Sequence, residues 1–225
     1  MNLNIKTTKE KEKIVDFLSN EINHQLELGK KVLWFATGGS SIPVQVLVSQ
    51  KINKELSNNL VITLTDERFG PVNHDESNWS RLQKLGFNVP GAKLIPFLSG
   101  KSFSETTKDL REIIKQEIEK SDYKIGMFGI GIDGHTAGIL PNSDAVNIDE
   151  LVCSYETPMF DRITITPKVI SMLDEAVVYS MGDMKWPILE KLEEDIPLIE
   201  DPSQILKKVP LLTIFTDYIQ KNISK

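Results

Sequence analysis

The spacing of hydrophobic residues changes repeatedly along the chain, and each change marks an element. Ile14, Phe17, Leu18, Ile22 and Leu26 recur every three or four residues, which places them on one stripe of an α-helix. Thr8 stands where a helix cap belongs, and Gly29 suits a left-handed stop. The period then gives way to an unbroken apolar run, Val32-Leu33-Trp34-Phe35-Ala36, the signature of a strand buried on both faces. That run empties into Thr37-Gly38-Gly39-Ser40-Ser41. Pro43 then fits the first turn of a helix expected to reach Leu56.

The alternation continues. Residues 60–65 read as a strand and 77–85 as a helix stopped by Gly86, while Ser102 and Glu105 form a capping box for a helix to about residue 119. Further strands are predicted at 125–128, 163–166 and 176–181, with a helix at 183–192; the apolar run 211–215 fits either strand or helix. Strands alternating with helices predict an α/β fold, a mainly parallel sheet with helices on both faces. In such sheets ligands collect at the carboxyl ends of the strands.

Composition narrows the classes. The 225 residues contain no repeat and no Gly/Ser-rich linker, so one domain spanning 1–225 is expected. A net charge of -6 excludes broad binding to nucleic acid or an anionic membrane, yet leaves room for a small anion held by a few local cations. The single Cys153 can make no internal disulfide, which fits a reducing compartment. The start, MNLNIKTTKEKEK, lacks the apolar stretch of a signal peptide. No run approaches the ~18 apolar residues that span a bilayer. A soluble cytoplasmic protein is expected.

Three loops can carry chemistry. Gly38, Gly39 and Ser40 lie between a buried strand and a helix start, where glycines admit a close ligand and free N–H groups favour an anion. The same loop also reads as a plain strand-to-helix turn. No Gly-Lys-Ser/Thr follows, and the final glycine of a nucleophile elbow is absent. In the second loop, Asp66-Glu67-Arg68, Arg68 offers a fork for phosphate or carboxylate and Asp66 can bond a sugar hydroxyl. A solvated ion pair at a loop start is the plainer alternative.

The third loop, Gly129-Ile130-Gly131-Ile132-Asp133-Gly134, matches a dinucleotide fingerprint in spacing. Gly138 and Pro141 interrupt the helix that fingerprint requires, so the match is accidental. The loop continues into His135, one of three histidines, with Asp133 two residues away. A neutral imidazole there can take a proton from water near pH 7 while Asp133 fixes its tautomer; a histidine bonded to backbone is the alternative. Metal binding needs more ligands than this cluster offers. Arg162 and Lys185 stand at later element ends, as ligand-binding cations or ordinary surface charges.

Taken together, GGSS with Pro43, Asp66-Glu67-Arg68 with Ser77-Asn78, GIGIDGHTAGILP, Arg162-Ile163-Thr164, Gly182 with Lys185, and Pro202-Ser203 resemble the 6-phosphogluconolactonase family. They lie within its wider superfamily of glucosamine-6-phosphate deaminases/isomerases. The resemblance implies a NagB/RpiA-like, Rossmann-like fold and hydrolysis of 6-phospho-D-glucono-1,5-lactone in the oxidative pentose phosphate pathway, without metal or cofactor. It implies His135 as general base oriented by Asp133. Gly38, Gly39, Ser40, Arg162 and Lys185 would hold the phosphate of a small sugar lactone, with Asp66 and Arg68 as further binding groups. Deaminases carry a glutamate five residues after the histidine, where this chain has Leu140, and tyrosine where it has Arg68. Both choices favour the lactonase. A non-catalytic sugar-phosphate sensor is the alternative of another class.

Overall fold

The computed structural model describes residues 2–218. The chain runs β1 (Asn2–Thr7), α1 (Lys11–Glu27), β2 (Val32–Ala36), α2 (Ile42–Lys51), β3 (Leu60–Leu64), β4 (Asp66–Arg68), α3 (Asn78–Lys84) and β5 (Lys93–Leu94). It continues through α4 (Phe103–Lys120), β6 (Tyr123–Phe128), β7 (Val152–Tyr155), β8 (Arg162–Ile165), α5 (Pro167–Ser171), β9 (Glu175–Ser180), α6 (Trp186–Lys191) and β10 (Leu211–Thr216).

Seven strands form a fully parallel sheet in the order β1-β10-β9-β6-β2-β3-β5. All five residues of β2 are fully buried, because helices cover this strand on both sides. Right-handed crossovers put α1, α2 and α3 on one face, and α4, α5 and α6 on the other. In keeping with this, α2 packs against both α1 and α3. Among the described residues, no helix is long and apolar enough to cross a membrane.

Two features of this topology build the site. The neighbours β2 and β6 send their chains to opposite faces, so a crevice opens between their carboxyl ends. The second feature is a small antiparallel sheet, β4-β8-β7. Thr65 belongs to both sheets: its N–H donates to Ala36 O at 2.7 Å and its carbonyl accepts from Ile165 N at 2.9 Å. The chain thereby leaves β3 and carries Asp66, Glu67 and Arg68 over the crevice.

Several expectations are corrected. Helix α2 stops at Lys51, short of Leu56, because Asn23 of α1 intervenes: its amide donates to Lys51 O at 2.9 Å and its Oδ1 accepts from Asn53 N at 2.8 Å. Thr8 prolongs β1, donating to Thr216 O, and the cap position of α1 falls to Glu10. The strand predicted at 163–166 is β8, Arg162–Ile165, and it lies in the antiparallel sheet, while Thr166 takes the cap position of α5. The region 183–192 divides into a 3-10 turn, Asp183–Lys185, and α6. The run 211–215, which the sequence leaves open between strand and helix, is a strand, β10.

A buried acid lies at the amino end of β9. Glu175 is 4% exposed and accepts from the Tyr123 hydroxyl at 2.6 Å. Burial pushes its carboxyl above the ordinary value against the pull of that hydrogen bond, and the charge of Glu21 adds to the rise. A raised folded-state value means that the contribution to stability is full below the ordinary glutamate range and is lost as pH climbs through the folded value. Glu175→Gln, which keeps an acceptor for Tyr123, is therefore expected to raise Tm at pH 8 by about 2–4 °C per kcal/mol relieved, with the gain shrinking towards pH 5. Thermal melts at the two pH values check this; a lower Tm for the variant at pH 8 contradicts it.

Candidate active site

The crevice is a cleft of about 260 Å³. Gly38, Gly39, Ser40, Asp66, Arg68, His135, Arg162 and Lys185 all line it. Asp133, the ninth predicted residue, stands behind His135 and bonds to its ring.

The glycine-rich loop occupies the end of β2. Gly39–Ser41 forms a 3-10 turn that runs directly into α2, so its N–H groups lie at a helix start. Gln45, fully buried in α2, pins the loop by accepting from Thr37 N at 2.9 Å and donating to Thr37 O at 2.6 Å. Gly38 is required by a close approach: a Cβ there would sit 2.0 Å from Asn78 Oδ1.

The opposite wall is the β4–β8 pair, in which Arg68 stands directly across from Arg162. Like charges at facing positions repel, so the pairing costs stability unless an anion lies between them. Protein groups compensate only partly. Arg68 Nη1 donates to Glu76 O at 2.9 Å and lies 3.8 Å from Glu76 Oε2, and Arg162 Nη1 lies 3.7 Å from Asp66 Oδ2. The Nε–H groups of both arginines are buried without an acceptor.

His135 and Asp133 occupy the bend after β6. Gly131 N donates to His135 O, and Thr136 pairs with Ile130, so the loop folds back as a narrow hairpin. His135 Nδ1 lies 2.6 Å from Asp133 Oδ1. An ionised carboxylate only accepts, so Nδ1 carries the proton and the Nε2 lone pair is left free. Partial burial pushes the Asp133 carboxyl up, but His135, through its charge when protonated and through ring and backbone hydrogen bonds, outweighs this and holds it below the ordinary value. Asp133 thus stays ionised well into acid. Beside the pair, Lys185 Nζ donates to Ile130 O at 2.5 Å, and burial lowers its pKa while the Asp133 charge opposes the fall.

The second glycine of the G-x-G spacing has a clear task. A Cβ on Gly131 would lie 2.1 Å from His135 Nδ1, so this glycine is the notch that receives the imidazole. No helix follows in the manner of a dinucleotide fold; the chain goes on through turns to a short 3-10 turn, Asp144–Val146. The placing of Asp66-Glu67-Arg68 in a loop, with a solvated ion pair as its plainer reading, is also corrected. Asp66 is 5% exposed and Glu67 not at all, because the triplet is itself a strand covered by the start of α3.

Sequence reasoning missed Gln45 and the part played by Asn78. Asn78 donates from its amide to Asp66 O at 3.0 Å and so ties the two walls together. It also missed why Pro202-Ser203 accompanies the other motifs: Ser203 N donates to Gly134 O at 2.9 Å and supports the His135 bend from below. A polar glutamine inside the apolar run IPVQVLV was a signal that could have exposed Gln45.

Fold and cleft together define a NagB/RpiA-like α/β protein with its polar site at the switch point of the sheet. The chain belongs to the Glucosamine-6-phosphate isomerases/6-phosphogluconolactonase family, whose pattern matches residues 8–212. A 6-phosphogluconolactonase of Chlamydia pneumoniae is 26% identical over 167 residues, a match spanning 71% of this chain and 64% of the length of that relative. A 6-phosphogluconolactonase of Helicobacter pylori is 26% identical over 186 residues, covering 79% of this chain and 80% of the relative. The crystal structure of 6-phosphogluconolactonase from Thermotoga maritima shares the fold with a TM-score of 0.84 at 20% identity, covering 96% of this chain and 99% of that one.

Proposed function

We propose that residues 1–225 act as a single catalytic domain, a 6-phosphogluconolactonase that hydrolyses 6-phospho-D-glucono-1,5-lactone to 6-phosphogluconate. The observation that carries the reading is the His135–Asp133 pair facing the same small cleft as Arg68, Arg162 and Lys185.

Water bound beside His135 gives a proton to Nε2 as its oxygen attacks the lactone carbonyl carbon, and the carbonyl oxygen takes the negative charge. As the carbonyl re-forms, the bond to the ring oxygen breaks, and the imidazolium returns its proton to that oxygen. Asp133 holds the ring in the required tautomer and balances its transient charge. The cations and loop N–H groups bind phosphate and the developing oxyanion, so remote binding energy positions the carbonyl. No step calls for a metal or an organic cofactor. The step belongs to the oxidative pentose phosphate pathway.

Amino-sugar-phosphate deamination is the second reading, and Leu140 stands against it. The aliphatic side chain moves no proton, and it lines a separate groove of about 990 Å³ rather than the cleft. A coupled assay with freshly made lactone, with glucosamine 6-phosphate as control, separates the readings. Lactone loss faster than the spontaneous rate is the expected result. Release of ammonia instead identifies a deaminase, and no acceleration of either reaction leaves a sugar-phosphate sensor.

A further inference from the structure

The middle residue of the charged triplet has no place in the chemistry above, yet it is among the most completely satisfied side chains of the site. Side chains alternate along β4, so Asp66 and Arg68 line the cleft and Glu67 points the other way, into the start of α3. There its carboxylate is fully buried and meets four donors. Oε1 accepts from Arg68 N at 2.7 Å and Asn78 N at 2.7 Å, while Oε2 accepts from Ser77 Oγ at 2.8 Å and Trp79 N at 3.0 Å. No salt bridge reaches Glu67 among the described residues. Burial pushes its carboxyl up, and these four hydrogen bonds pull it back. A buried charge without a counter-ion is costly, and these hydrogen bonds offset that cost only in part, leaving the carboxyl above its ordinary value.

What the four bonds join is informative. Two donors are the backbone N–H groups of Arg68, on the cationic wall, and Asn78, whose side chain bonds Asp66 O and fills the space beside Gly38. The remaining two fix the first turn of α3, and the preceding carbonyl, Glu76 O, receives the Arg68 guanidinium. We infer that Glu67 is the positioning residue of the anion-binding wall, setting Arg68, Asn78 and through Asn78 the glycine loop at the spacing that grips the phosphorylated substrate. The inference rests on the proposed lactonase activity and extends it to a residue that touches no substrate.

Glu67→Gln tests it. An amide presents one acceptor oxygen and one NH2 donor, so in either orientation its NH2 meets at least one backbone N–H that cannot accept. Those are the N–H groups of Arg68 and Asn78 one way and that of Trp79 the other, where only the Ser77 hydroxyl can reverse. The wall must shift to relieve the clash, while the His135 bend on β6 is untouched. The expected result is a KM for the lactone raised roughly tenfold or more with kcat little changed, and an equal weakening of inorganic phosphate as competitive inhibitor. Glu67→Asp keeps the charge and the acceptor character, and is expected to restore part of the loss. It also serves if the glutamine variant fails to fold.

A purely structural role gives another pattern: kcat falls with the folded fraction, KM and phosphate inhibition stay at their wild-type values, and the inference is overturned. Ile114→Val in α4, buried far from the cleft in sequence and topology, calibrates that pattern. Should the wild type fail to accelerate lactone loss, the lactonase reading falls by itself. Calorimetric titration with inorganic phosphate then decides: weaker binding by Glu67→Gln supports the inference, and equal binding overturns it.

Discussion

Replacing His135 with alanine is expected to lower kcat by about 10²–10⁴-fold and to leave KM and the fold nearly unchanged. The range is that of a positioned general base, and no second group in the cleft repeats its arrangement. Lys185 is a cation committed to Ile130 O, and Asp66 is buried against Arg162. The fold survives because the His135 side chain is 37% exposed and its one side-chain partner, Asp133, is 50% exposed. KM holds because the cations proposed to bind the phosphate are on other elements. Turnover of fresh lactone, with the spontaneous rate subtracted, is the measurement. A variant within a few-fold of the wild type removes His135 from the mechanism.

Gly131→Ala is expected to lose about 10²-fold in kcat although it removes no functional group. The new methyl would lie 2.1 Å from His135 Nδ1 and 2.4 Å from Asp133 Oδ1, distances no carbon tolerates. The hairpin must open or the imidazole must swing away, and either movement parts the base from its orienting carboxylate. The backbone at Gly131 has no left-handed φ, so the substitution strains contacts rather than conformation. Circular dichroism should therefore stay that of the folded protein, with Tm lowered by about a few degrees, while activity falls. Full activity would show that the 2.6 Å contact between the two side chains contributes nothing to turnover.

The changes of hydrophobic period were enough to read the α/β class, the buried central strand and the loops at the carboxyl ends. Within those loops, Gly38, Gly39, Ser40, Asp66, Arg68, His135, Arg162 and Lys185 do meet around one cleft, with Asp133 against the histidine. What stayed hidden has physical causes. Strands of two to four residues, such as β4, β5 and β7, are too short to display a period, and their existence depends on partners far along the chain. Glu67 looks like a surface charge because its four donors come from backbone and serine groups that no pattern of charges announces. The G-x-G spacing misleads for a related reason. A glycine that admits a pyrophosphate and one that admits an imidazole are the same letter, and only the following chain tells them apart.

The crossing at Thr65 also bears on how such a site can change over generations. In the proposed lactonase, anion binding draws on the antiparallel sheet through Arg68 and Arg162 as well as on the glycine loop after β2, whereas proton transfer draws on the bend after β6. The two frames meet at the bond from Gly138 N to Thr164 Oγ1, at 3.0 Å, and at the substrate, so only changes made away from those meeting points should add rather than couple. If the proposed activity holds, a lineage can explore new phosphorylated substrates through the outer positions of one wall, while the base seated in the Gly131 notch keeps its place.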